Sequence, residues 1–96
     1  MSNLYEAILK LKTADECEKF LKDLCTPKEL KEFNNRWDIA QMLYQGKNNY
    51  REIAQEVGTS ITTVGRVARF LNQEPYQGYR IVLNRTSHIH GQPPNK

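Results

Sequence analysis

The 96-residue sequence is short of several things, and each shortage removes a class of protein. It has two cysteines, Cys17 and Cys25, and no CxxC. On one helix their spacing of eight residues separates them by about 12 Å of rise, too far for a disulfide. Core-packing thiols are therefore the preferred reading. The two histidines, His88 and His90, fall in a stretch bounded by glycine and proline. A zinc site joining them to the cysteines can be drawn on paper, but solvated tail histidines are the simpler reading, and no metal is expected. No apolar run approaches the roughly 18 residues that cross a bilayer. The opening MSNLYEAILKLK has neither a long apolar centre nor a small-residue cleavage site, so no signal peptide is expected and the cytoplasm is the expected compartment. Paired carboxylates, a Ser/His/Asp set and a phosphate-cradling glycine loop are all missing, which argues against an enzyme and against a cofactor. There is no strand-period segment, no hairpin signal and no internal repeat.

What is present is ordinary in bulk and uneven in placement. Apolar residues make up 39% and charged residues 26%, as in a typical globular domain, and the length suits one domain. The formal charge of +3 conceals a gradient: residues 1–45 carry seven Lys/Arg against eight Asp/Glu, and residues 46–96 seven against three. No acidic residue lies between Gly58 and Gln73. The second half is thus the better candidate for meeting a polyanion.

Start and stop signals divide the chain into helices. Ser2 is placed to cap a short first helix carrying Leu4, Tyr5, Ile8, Leu9 and Leu11. Thr13-Ala-Asp-Glu16 is a capping box, in which hydroxyl and carboxylate satisfy orphan backbone donors reciprocally; it opens a helix with Cys17, Phe20, Leu21 and Leu24 on one face. Thr26-Pro27-Lys-Glu29 combines a cap, a proline at the first helical position and a glutamate at the third. The helix that follows runs to about Gln45 and is closed by Gly46. Its apolar residues Leu30, Phe33, Trp37, Ala40 and Tyr44 form one stripe, and Ile39 and Leu43 a second. Two short amphipathic helices cannot cover so much apolar perimeter. This helix is either the centre of a compact bundle or a subunit interface, and in a chain this short the interface is favoured. Asn49 and Glu52 then open another helix with Ile53, Ala54 and Val57 inward. Gly58 stops it, and Ser60 caps the next, about Ile61 to Asn72. Pro75 permits a last short helix through Tyr79, Ile81, Val82 and Leu83. The stretch 86–96 reads as a mobile tail, leaving 1–85 as the helical domain.

The segment IAQEVGTSITTVGRV, within about 50–72, fits a helix-turn-helix. Two helices that cross steeply need a small side chain where they approach, and Ala54 supplies it. The turn needs a left-handed residue, and Gly58 supplies that. Val64 and Val67 pin the second helix to the first. Its outer face, with Thr59, Ser60, Thr62, Thr63, Arg66 and Arg69, is small, hydroxylated and basic, as a helix lying in a major groove about 12 Å wide requires. A plain helical hairpin can produce the alanine, the glycine and the apolar spacing, but its solvated face normally mixes both signs of charge.

In this order the elements resemble the Trp repressor superfamily, and look most like its YerC/YecD-type branch. The resemblance rests on Leu24-x-Thr26-Pro27 opening a long helix, on Gly46 closing it, and on Arg51-Glu-Ile leading into Val57-Gly-x-x-Ile61-x-Thr63. It implies an all-α, six-helix fold and an interlocked homodimer from which two helix-turn-helix units project onto double-stranded DNA. Arg51 stands where the family contacts guanine directly, Ile61 and Thr62 at base-proximal positions and Thr63 at a phosphate. Ala54 replaces a basic residue used on DNA, and Gly65 replaces a threonine, which implies a different operator. In the repressor two arginines sandwich tryptophan; Arg36 and Arg66 match them. The glycine and serine that floor that slot are replaced by Val67 and Phe70, whose bulk should fill it. Arg36, Arg66, Val67 and Phe70 are thus expected to form at most a vestigial ligand pocket, with no small-molecule corepressor.

The reading that follows is a sequence-specific DNA-binding transcriptional regulator, a repressor by resemblance, with no membrane association. The alternative is a helix-turn-helix turned into a protein-interaction module, which the modest net charge leaves open.

Overall fold

The computed structural model describes residues 1–89. It contains six α-helices: α1 (Leu4–Ile8), α2 (Ala14–Leu24), α3 (Pro27–Gln45), α4 (Tyr50–Val57), α5 (Ile61–Asn72) and α6 (Gly78–Ile89). Among the described residues there is no strand, in keeping with the lack of any period-2 pattern.

The caps show why the helices begin where they do. At α3 the Glu29 N–H donates to Thr26 Oγ1 at 3.1 Å, and the Thr26 N–H donates to Glu29 Oε1 at 2.9 Å. At α4 the Asn49–Glu52 pair repeats this at 2.8 and 2.9 Å. Two starts differ from expectation. Asn3, not Ser2, caps α1, because Asn3 has the glutamate three residues on, Glu6, with which to close a box. The box at α2 is only half formed: Thr13 Oγ1 accepts from the Glu16 N–H, but Glu16 Oε1 accepts from the N–H of Lys12 at 2.8 Å, one residue earlier.

The chain divides into two compact units, Met1–Phe33 and Asn34 onward, with the division inside α3. In the first, no side chain is fully buried. Cys17, Phe20 and Leu21 are half-buried, while Leu4, Tyr5, Ile8, Leu9, Leu24 and Phe33 are exposed. Asp15–Lys19 and Glu18–Lys22 pairs, at 3.0 and 2.7 Å, decorate α2 one turn apart along the helix. The hydrogen bond to Glu18, and next its charge, raise the Lys22 pKa above the usual lysine value.

The second unit has a core of its own. Ile39 and Ala40 of α3, Ile53 and Ala54 of α4, and Val64 and Val67 of α5 form one buried cluster, with Trp37, Met42, Leu43, Val57 and Tyr79 packed against it. Ala68, Leu71 and Leu83 are buried as well. Four of these side chains, Ile39, Ile53, Val64 and Val67, are completely enclosed, and each such burial contributes about 1.5–3 kcal/mol. Of the two stripes on α3, the longer buries only Ala40, with Leu30, Trp37 and Tyr44 half-buried and Phe33 exposed, whereas the shorter has Ile39 buried and Leu43 half-buried. The stripe that looked most continuous in sequence is therefore the less enclosed one.

Gly46 ends α3 with φ +72°, its N–H donating to the Met42 carbonyl. The last helix is longer than expected and runs to Ile89, through the first four residues assigned to the tail. Thr86 is accommodated because its hydroxyl donates to the Val82 carbonyl at 2.8 Å, one turn back, the bonding by which helices absorb threonine. The rest of the expected tail, with His90, lies outside the described residues. His88 belongs to α6. No described helix is long and apolar enough to cross a membrane, and the described residues include no His/Cys/Asp/Glu group able to hold a metal ion.

Candidate nucleic-acid interface

The hinge of the site is Gly58. Its φ of +83° and ψ of +43° are left-handed, a conformation that costs other L-residues roughly 1–2 kcal/mol. The N–H groups of Gly58 and Thr59 both donate to the Ala54 carbonyl, at 2.9 and 3.0 Å, and so close α4. Two residues later Ser60 opens α5 by accepting the Thr63 N–H at 3.1 Å. Side-chain size fixes the packing across this turn. Ala54 is only 5% exposed and shares the buried cluster with Val64 and Val67. Its side chain is spent on packing, so position 54 offers no polar group to a ligand.

Helix α5 has two unlike faces. Val64, Val67, Ala68 and Leu71 are buried. Ser60, Ile61, Thr62, Arg66 and Arg69 are exposed, and Thr59 and Thr63 half-exposed. Ile61 presents half its surface at the first turn of α5. Ser60 Oγ and Thr63 Oγ1 are 3.0 Å apart, so both hydroxyls are engaged with each other and with the cap. Thr62, between Ile61 and Thr63, is exposed, and its hydroxyl takes no part in that cap. Arg51 is the second residue of α4 and is exposed. The structure thus brings Thr59 to Arg69 onto one helix and its entry turn, and leaves Arg51 on the preceding helix.

Gly65 sits in the middle of α5, and a Cβ there would meet no atom within 4 Å. Nothing inside the chain requires a glycine. Gly65→Ala is therefore expected to stabilise the fold by about 1 kcal/mol, seen as a rise of about 4–8 °C in Tm by circular dichroism. An unchanged or lower Tm would mean that the space beside Gly65 is needed by the fold itself.

Five contacts around the end of α5 are not legible in sequence. The Arg66 guanidinium lies over the Phe70 ring at 4.5 Å from its centroid, and that of Arg69 at 5.1 Å. Arg69 also pairs with Glu74 through Nε at 3.4 Å. Finally, Arg80 Nε donates to the Leu71 carbonyl at 2.9 Å and its Nη2 to Asn72 Oδ1 at 2.7 Å. Arg80 stands in the first turn of α6, the unfavourable end of its own helix dipole, and serves the favourable, carbonyl end of α5. A cation at a helix start was the available signal. A further bond, Tyr44 Oη to Asn84 Oδ1 at 2.8 Å, joins α3 to α6, so the helix that holds the end of α5 is itself held.

Val67 is enclosed in the core, and the Phe70 ring lies against Arg66. Arg36 is half-buried on α3.

Two helices packed through alanine and valine about a left-handed glycine, within six helices, define an all-helical helix-turn-helix protein. Comparison with known proteins is more specific. The family model described as Trp repressor protein matches residues 1–87. The uncharacterized protein YerC of Bacillus subtilis (strain 168) is 35% identical over 96 residues, covering all of this chain and 90% of that protein. The crystal structure of a candidate Trp repressor from Staphylococcus aureus superposes with a TM-score of 0.82 at 35% identity, over 96% of this chain and 86% of that one. A TrpR-like protein from Eubacterium eligens ATCC 27750 gives 0.76 at 35% identity, over 96% and 89%. The chain belongs to the Trp repressor family, in its YerC-type branch.

Proposed function

We propose that this protein is a sequence-specific, DNA-binding transcriptional regulator that acts as a homodimer, represses, and needs no small-molecule corepressor. The observation that carries the reading is the asymmetry of α5. Its inner face is locked into the core, while its outer face holds Thr62, Arg66 and Arg69 in a stretch from Gly58 to Gln73 without a carboxylate. Such a helix suits a groove lined by phosphates. In this reading Thr59, Ser60, Thr63 and Arg69 serve the backbone, and Arg51, Ile61, Thr62 and Arg66 lie towards the bases. Ile61 and the Thr62 methyl suit thymine methyl groups. The homodimer is supported by the first unit: thirty-three residues with exposed Leu4, Ile8, Leu9, Leu24 and Phe33 and no fully buried side chain await a covering surface. A DNA-binding protein of this kind is expected to work in the cytoplasm.

Selection of bound sequences from random duplex DNA tests the reading. A palindromic consensus with half-sites about one helical turn apart is expected; no enrichment at low salt would end it. On that consensus Arg51→Ala is expected to relax the preference at one base pair, with a loss of about 1–3 kcal/mol for the preferred base. Arg69→Ala is expected to weaken all sequences alike and to flatten the salt dependence. The same uniform loss in both variants would remove Arg51 from base reading.

A further inference from the structure

Arg66 and Arg69 present a physical problem that Phe70 answers. Two guanidinium groups on neighbouring turns of one exposed helix repel, and each long side chain has many rotamers to lose when it binds an anion. The usual way to fix an arginine is a carboxylate, but that neutralises the charge and occupies the donors a phosphate would use. Glu74 does this in part for Arg69, at 3.4 Å. An aromatic ring holds a guanidinium by its face, leaves the positive charge in place, and keeps the N–H donors at the edge of the fork free. Phe70 is half-buried on α5, and both guanidinium carbons stand within cation–π distance of its ring, at 4.5 and 5.1 Å. Phe70 is not among the residues α5 buries, which are Val64, Val67, Ala68 and Leu71, nor among those packed against the core cluster.

We propose that Phe70 is a positioning residue that sets the Arg66 and Arg69 guanidinium groups on its ring before the duplex arrives, so that the basic face of α5 is pre-formed in the unliganded protein. The inference rests on the DNA-binding reading above. It makes the affinity for duplex an intrinsic property of the chain, with no effector needed to arrange these arginines.

The test compares the full chain with Phe70→Leu, which keeps an apolar side chain but removes the ring, and Phe70→Trp, which restores a ring with a stronger face. In the free protein, the δ-methylene protons of Arg66 and Arg69 are expected to show upfield ring-current shifts in the wild type and in Phe70→Trp, and to lose them in Phe70→Leu. Affinity for the selected duplex is expected to fall about three- to tenfold in Phe70→Leu, the size of one or two exposed cation–π contacts, and to return in Phe70→Trp, with all three proteins melting within a few degrees of one another. Wild-type affinity in Phe70→Leu, shifts that do not change, or a loss that tryptophan does not rescue would each overturn the proposal. Wild-type protein that binds no duplex at low salt would instead overturn the DNA reading, and the proposal with it; the ring-current shifts would still show whether Phe70 holds the arginines.

Discussion

Thr62→Asp is expected to abolish duplex binding while leaving the fold at least as stable as before. Thr62 is the second residue of α5, exposed, and its hydroxyl is not part of the Ser60–Thr63 cap. A carboxylate there lies at the positive end of the helix dipole, worth about 0.3–1 kcal/mol in favour of the helix. Against a duplex the same carboxylate faces phosphates, and like-charge juxtaposition at an interface costs several kcal/mol, or more than about 100-fold in affinity. Fluorescence titration with a labelled duplex and thermal melting of the free protein measure the two effects separately. Binding within about threefold of wild type would show that the start of α5 does not face DNA.

Val64→Asp is expected to do the reverse and destroy the fold. Positions 62 and 64 are two apart on a helix of 3.6 residues per turn, and so look in nearly opposite directions. Val64 is completely enclosed among Ile39, Ala40, Ile53, Ala54 and Val67. A carboxylate placed there has no cation to pair with among those neighbours, so it must be protonated or drag water into the core. A loss on the order of 4–5 kcal/mol is expected, most of what a small domain possesses. Urea unfolding followed by circular dichroism checks it, and a midpoint shifted only slightly would mean that the second unit's core is not the one described. Taken together, the two substitutions separate what α5 does for the protein from what it does for a ligand.

Much of this was legible in the sequence because it was written in local chemistry. Gly46 and Gly58 stand at the two positions of positive φ where helices had to stop. Thr26 with Glu29, and Asn49 with Glu52, formed the boxes their spacing allowed. The errors came where a neighbour competed. Asn3 displaced Ser2 because a glutamate lay three residues after it, and Glu16 reached Lys12 instead of Thr13. The end of α6 was misjudged because Thr86 favours other structures in isolation, and its back-bond to Val82 forms only once the helix exists. At the candidate site periodicity separated Val64 and Val67 from Thr62, Arg66 and Arg69, while the outward place of Ile61 was implied only by the family resemblance. The Phe70 stack and the Arg80 clamp did not, since both depend on rotamers, and the second also on how α6 returns past α5.

The unequal distribution of buried side chains also bears on how the protein is made. Translation delivers α1 and α2 before the helices that own a core, and that core cannot be complete until Val67 has cleared the exit tunnel. Through that interval Leu4, Ile8, Leu9 and Leu24 stay on the outside of the nascent chain. In the proposed homodimer, a second copy to shelter them would be met soonest from the adjacent ribosome on the same message, where its local concentration is highest.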